Sequence, residues 1–137
     1  MTNDPEDKTA VKGTIMIVEG DGILQEAIIK WINLRYCGLD VLNASDYDSA
    51  ISMAIAEHPQ IVIIDIYLSL SFDKGVETVK KLIEISSKTK IVILTSHVSV
   101  VLRDTMQAIG VDALILKTDI QSHLIPALGK LITDIKD

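Results

Sequence analysis

Four short runs of apolar, mostly β-branched residues each stop at a side chain able to handle a phosphoryl group or the metal that accompanies one. Thr14-Ile15-Met16-Ile17-Val18 runs into Glu19-Gly20-Asp21, and Ile61-Val62-Ile63-Ile64 runs into Asp65. Ile91-Val92-Ile93-Leu94 leads to Thr95-Ser96, and Ala113-Leu114-Ile115-Leu116 to Lys117. Carboxylates suit a hard cation; a hydroxyl and an ammonium suit phosphoryl oxygens. Each residue also has an ordinary use. An Asp can cap a turn, a Lys can snorkel, a Thr favours strands, and Glu19 and Asp21 could simply stabilise a helix N-terminus. A site exists only if the four ends converge.

The elements between these runs predict that convergence. Ile23, Ala27, Ile28, Trp31, Ile32 and Tyr36 recur at helical spacing before Gly38, which predicts a first helix over 22–36. A short strand at Val41-Leu42 follows, then Ser45 or Asp46 as an N-cap and a helix through Ala50, Ile51, Met53, Ala54 and Ile55 to His58-Pro59. The third helix carries Val76, Val79, Leu82 and Ile83. The fourth carries Val101, Leu102, Met106 and Ile109 up to Gly110, and a last helix covers about 120–135. Strict strand–helix alternation implies an all-parallel sheet with both faces covered. Ligands of such sheets bind beyond the carboxyl ends of the strands, where all four candidate groups lie.

The chain has 137 residues, 48% hydrophobic and 23% charged, which fits one globular domain. Residues 1–12 are polar and aperiodic and read as a flexible tail, leaving 13–137 as the domain. A net charge of −6 excludes direct nucleic-acid binding by this segment, which needs clustered Lys and Arg. The single cysteine, Cys37, allows no internal disulfide and reads as a small buried thiol. Without a membrane-length apolar run or a signal peptide pattern, the expected location is the cytoplasm. His58 reads as a helix end, His123 as solvated, His97 as a rim residue, Trp31 and Tyr36 as core, and Asp73-Lys74 as a solvated loop.

Acids after the first strand, Asp65 after the third, Thr95 after the fourth and Lys117 after the fifth resemble the receiver domain of two-component response regulators, over about residues 13–135. Leu94-Thr95-Ser96-His97, the stretch from Gly110 to Asp119, Leu124 and Ala127-Leu128 are similar to the NarL/FixJ branch. The resemblance implies a (βα)5 flavodoxin-like three-layer sandwich with strand order 2-1-3-4-5. It implies that Asp65 accepts phosphate from a sensor histidine kinase, to control an output domain or partner protein, with a homodimer as one form. It further implies Mg²⁺ held by Glu19, Asp21, Asp65 and the Tyr67 carbonyl. Lys117 and Thr95 would then serve the phosphoryl oxygens, with no enzyme activity beyond the domain's own phosphorylation and dephosphorylation.

The sequence departs from that family pattern in several places. Gly20 stands where most receivers carry a second metal-binding acid, so Mg²⁺ binding should be weak and Gly20→Asp should strengthen it. Asp65 and Gly75 lie ten residues apart, a longer loop than is common, with Ser69 in place of a proline. Thr118 replaces the proline after Lys117, predicting a trans peptide, and Leu114 replaces the usual switch aromatic. An atypical receiver acting as a phosphorylation-independent interaction module is the alternative. A flavin binder is a weaker one, since Glu19-Gly20-Asp21-Gly22 is a poor phosphate loop.

Overall fold

The computed structural model describes residues 8–136. In chain order the elements are β1 (Thr9–Val18), α1 (Gly22–Arg35), β2 (Tyr36–Ala44), α2 (Tyr47–Glu57), β3 (Ile61–Asp65) and α3 (Phe72–Ile85). They continue with β4 (Lys90–Thr95), α4 (Val100–Ile109), β5 (Ala113–Leu116), a 3-10 turn (Lys117–Asp119) and α5 (Ile120–Lys136). The five strands are all parallel, in the order β2-β1-β3-β4-β5. The expected flavodoxin-like sandwich is therefore the observed fold.

Strand alternation divides the core into two layers. Ile15, Ile17, Ile61, Ile63, Val92, Leu94 and Ile115 face one side, where they meet Ile28 and Ile32 of α1 and Leu124, Leu128 and Ile132 of α5. Met16, Val18, Val62, Ile64, Ile91 and Ile93 face the other, against Ala50 and Ala54 of α2, Val79 and Leu82 of α3, and Leu102 and Met106 of α4. Each fully enclosed aliphatic side chain contributes about 1.5–3 kcal/mol, so the central strands hold the sheet rigid behind the four strand ends.

The N-terminal half differs from the pattern reading. β1 begins at Thr9, so residues 9–12 of the expected tail belong to a strand; residues 1–7 lie outside the described residues. Helix α1 ends at Arg35, and Tyr36 opens a β2 far longer than the expected Val41-Leu42. The cause is non-local: Thr9 and Ala10 pair with Tyr36 and Cys37, with an irregularity between Ala10 and Gly13 that keeps the later register. Gly38 is required there, since its φ is 96° and a Cβ would stand 2.6 Å from the Val11 carbonyl oxygen. Because Tyr36 points into the core, its strand neighbour Cys37 points out; the thiol is exposed, not buried.

Smaller corrections follow from helix phase. Ile23 and Val101, expected on buried faces, are exposed at the first turns of α1 and α4. Asp73 and Lys74 belong to the first turn of α3 instead of a loop, though both remain exposed. The N-cap of α2 is Asp46, whose Oδ1 accepts the Ser49 amide at 2.8 Å. His58 ends α2 in the left-handed conformation, and Gly110 does the same for α4.

Candidate functional site

Glu19, Asp65 and Lys117 share strand parity with Ile17, Ile63 and Ile115, and they meet at the carboxyl rim of the sheet. The Lys117 ammonium lies 2.8 Å from Glu19 Oε1 and 2.7 Å from Asp65 Oδ2, so one cation bridges two nearly enclosed carboxylates. Burial alone would pull the lysine pKa down; the hydrogen bonds and charges of Asp65 and Glu19 outweigh it and hold the group above its ordinary value. Asp65 Oδ1 accepts the amide of Tyr67 at 2.8 Å. Glu19 Oε2 accepts the amide of Asp21 at 3.1 Å, whereas Oε1 has only the Lys117 ammonium beside it. That oxygen is a buried anionic acceptor with unused capacity.

Backbone pairing aims these groups. The Glu19 amide donates to the Ala44 carbonyl at 3.0 Å, and buried Gln25 donates through Nε2 to the Glu19 carbonyl. At the centre of the sheet, Asp65 registers with Leu94, and the Ile66 amide donates to the Leu94 carbonyl at 3.1 Å. Lys117 follows β5 at the start of the 3-10 turn, and its peptide to Thr118 is trans like every other described peptide.

Two of the sequence candidates are engaged by neighbouring backbone. Asp21 is the N-cap of α1: its Oδ1 accepts the amides of Ile23 at 2.9 Å and Leu24 at 3.3 Å, and the residue is exposed. Thr95 is fully buried and shares parity with Ile93, toward the α2–α4 side. Its hydroxyl donates to the His97 carbonyl at 2.7 Å and accepts the His97 amide at 3.2 Å. His97 thus meets Thr95 through its backbone, and its side chain is exposed on the rim.

Tyr47 is a site residue that pattern reading missed. Its hydroxyl donates to the Asp65 carbonyl at 2.9 Å and accepts the Leu68 amide at 3.1 Å, tying the loop after β3 to the start of α2. Burial pushes its pKa up to about 12; the Leu68 hydrogen bond opposes that, and the nearby Asp65 and Glu19 charges add to it. Gly75 makes room for the same packing, since a Cβ there would stand 2.2 Å from the Ile66 carbonyl oxygen and 3.0 Å from the Tyr47 hydroxyl.

The donor set fits a hard divalent ion. Mg²⁺ keeps several waters and takes one or two carboxylates from a protein; Glu19 and Asp65 supply two, and Glu19 Oε1 meets no partner but the Lys117 ammonium. No third acid converges, because among the described residues no group of three His, Cys, Asp or Glu is placed to hold a metal. A rim that concentrates two carboxylates and one ammonium can present a nucleophilic carboxylate and a cation to the same phosphoryl group.

The protein-family model for the response regulator receiver domain matches residues 15–128. No curated protein sequence matches the chain. Among solved structures, a two-component response regulator of the LuxR family from an Aurantimonas species is similar with a TM-score of 0.79. It shares 22% identity, over 90% of this chain and 86% of that one. A response regulator from Thermotoga maritima gives 0.78 and 20%, over 90% of this chain and 99% of that one. A DNA-binding response regulator of the LuxR family from Staphylococcus aureus gives 0.74 and 20%, over 88% and 98%. Among the described residues no helix is long and apolar enough to cross a membrane.

Proposed function

Because the chain belongs to the response regulator receiver family, we propose that it is a phosphoacceptor in which Asp65 takes phosphate from a sensor histidine kinase in the cytoplasm. The single observation that carries this is the junction of Asp65, Glu19 and Lys117 around one ammonium at the sheet's carboxyl rim. Receiver domains are signalling domains and bind Mg²⁺ at their acidic site; here Glu19 and Asp65 would hold it, supplying a charge that offsets the phosphoryl oxygens. Asp65 Oδ2 attacks phosphorus in line with the leaving group, and the P–N bond to the kinase's phosphohistidine breaks as the new P–O bond forms, the released imidazole taking up a proton. Lys117 passes from a carboxylate–carboxylate bridge to a phosphoryl oxygen, while Tyr67's amide keeps Oδ1 oriented.

Thr95 has to release the His97 carbonyl to donate to the acyl phosphate, so phosphorylation is coupled to the loop that starts α4. That coupling gives a route to an output domain or partner, homodimerisation included. The cation site is weak, because Gly20 supplies no carboxylate and Asp21 is spent on the helix. Beryllofluoride titration followed by NMR tests the assignment: amide shifts at Tyr67 and His97 in the wild type, absent in Asp65→Asn, are expected.

One observation favours a second reading. Lys117 already bridges both acids and offsets one of their two charges, which supports a resting form that acts as an interaction module without binding the ion. Wild-type protein that takes up neither beryllofluoride nor phosphate would select it.

A further inference from the structure

Leu68 occupies the space that a side chain at position 20 would need. A Cβ on Gly20 would stand 3.2 Å from Leu68 Cδ2 and 3.8 Å from the Ser45 carbonyl oxygen. Gly20 is not among the positive-φ glycines, so what a larger residue meets there is the leucine and not a backbone penalty. The leucine is half-buried, its backbone anchored and its side chain packed on one side only. Its amide is held by the Tyr47 hydroxyl, itself held by the Asp65 carbonyl, and its side chain packs on the layer that covers the α2–α4 face.

Gly20 itself is exposed, so a carboxylate there has solvent on its outer side and, where it turns inward from its Cβ, meets the Leu68 methyl groups and the Ser45 carbonyl oxygen. Neither solvates an anion, and both disfavour its charged form. We propose that Leu68 is a specificity-determining residue that holds this cation site to two carboxylates by sealing the place of a third, so that Gly20 and Leu68 act as a pair. The inference rests on the receiver reading of the site. With the third position sealed, Lys117 is the resident cation between Glu19 and Asp65, and Mg²⁺ must compete with an ammonium at 2.8 and 2.7 Å.

The pairing makes Gly20→Asp insufficient by itself. Isothermal titration calorimetry with Mg²⁺ at constant ionic strength compares wild type, Gly20→Asp, Leu68→Ala and the double variant. Each single substitution is expected to change affinity by less than about threefold, and the double to tighten it by about tenfold or more, as for coupled neighbours. Asp65→Asn in the double background removes that gain. A full gain from Gly20→Asp alone, additive effects, no gain in the double, or a gain that survives Asp65→Asn would overturn the proposal.

A metal-free measurement tests the same contact. Gly20→Ala should lower the melting temperature in the wild type and raise it in the Leu68→Ala background, where only the loss of unfolded-state freedom remains. The same change in both backgrounds overturns the pairing. Failure of the receiver reading shows separately, as no acetyl phosphate labelling of Asp65 in any variant while the Gly20–Leu68 coupling is still observed.

Discussion

Replacing Lys117 by methionine leaves two buried carboxylates facing each other without the cation that joins them. Glu19 Oε1 and Asp65 Oδ2 both lie within 2.8 Å of the ammonium nitrogen, and so within twice that distance of one another. Two negative charges about 5 Å apart repel by roughly 3 kcal/mol at an effective dielectric of 20. Removing one member of an enclosed ion pair costs about 3–5 kcal/mol. The Lys117 side chain keeps 22% of its surface, so solvent screening lowers the expected loss to about 2–3 kcal/mol at pH 7. Urea unfolding measures it. Asp65→Asn added to Lys117→Met removes one of the opposed charges and should recover about 2 kcal/mol, a gain that Asp65→Asn does not give in the wild type. Stability of Lys117→Met within about 0.5 kcal/mol of wild type, or no recovery on adding Asp65→Asn, would refute the bridging role.

Three further outcomes follow from named contacts. Tyr47 and Lys117 both hold their protons more firmly folded than unfolded, so their contribution is complete below about pH 10 and declines above it, that of Tyr47 being lost as pH rises through about 12. The alkaline decline in melting temperature should be shallower in Tyr47→Phe; an unchanged slope contradicts the Tyr47 assignment. Gly75→Ala should destabilise by roughly 1–3 kcal/mol or more in urea unfolding, since its Cβ has no room beside the Ile66 carbonyl oxygen. Leu114 lies beside a cavity of about 160 Å³ lined also by Val98, Arg103, Leu116 and His123. Leu114→Tyr should enlarge the α4 amide shifts produced by beryllofluoride, and identical shifts in both proteins would refute transmission through this position.

The sheet was legible because its central strands are buried on both faces and end abruptly at polar residues. The same parity that puts Ile17, Ile63 and Ile115 on one layer carries Glu19, Asp65 and Lys117 to one point. What local pattern could not show is what distant backbone decides. Tyr36 looked helical because its spacing fits α1, yet pairing with Thr9 makes it strand and turns Cys37 outward. For Asp21 the sequence left a metal role and a helix N-terminal role side by side, and the structure shows its carboxylate engaged by the free amides of Ile23 and Leu24. Tyr47 carries no periodic signal, and its partners lie 18 and 21 residues away. The opposition of Leu68 to Gly20 is invisible for the same reason, because it depends on how the lengthened loop after Asp65 folds back over the site.

Covalent labelling tests the phosphoacceptor assignment most directly. Wild-type protein, Asp65→Asn and Lys117→Met are incubated with acetyl phosphate and Mg²⁺ and read by intact-protein mass spectrometry with site mapping. One acid-stable, base-labile phosphoryl adduct on Asp65 is expected in the wild type, strongly reduced in Lys117→Met and absent in Asp65→Asn. An adduct that persists in Asp65→Asn, or its absence from wild type at saturating Mg²⁺ with a phosphodonor or a cognate kinase, would contradict the assignment.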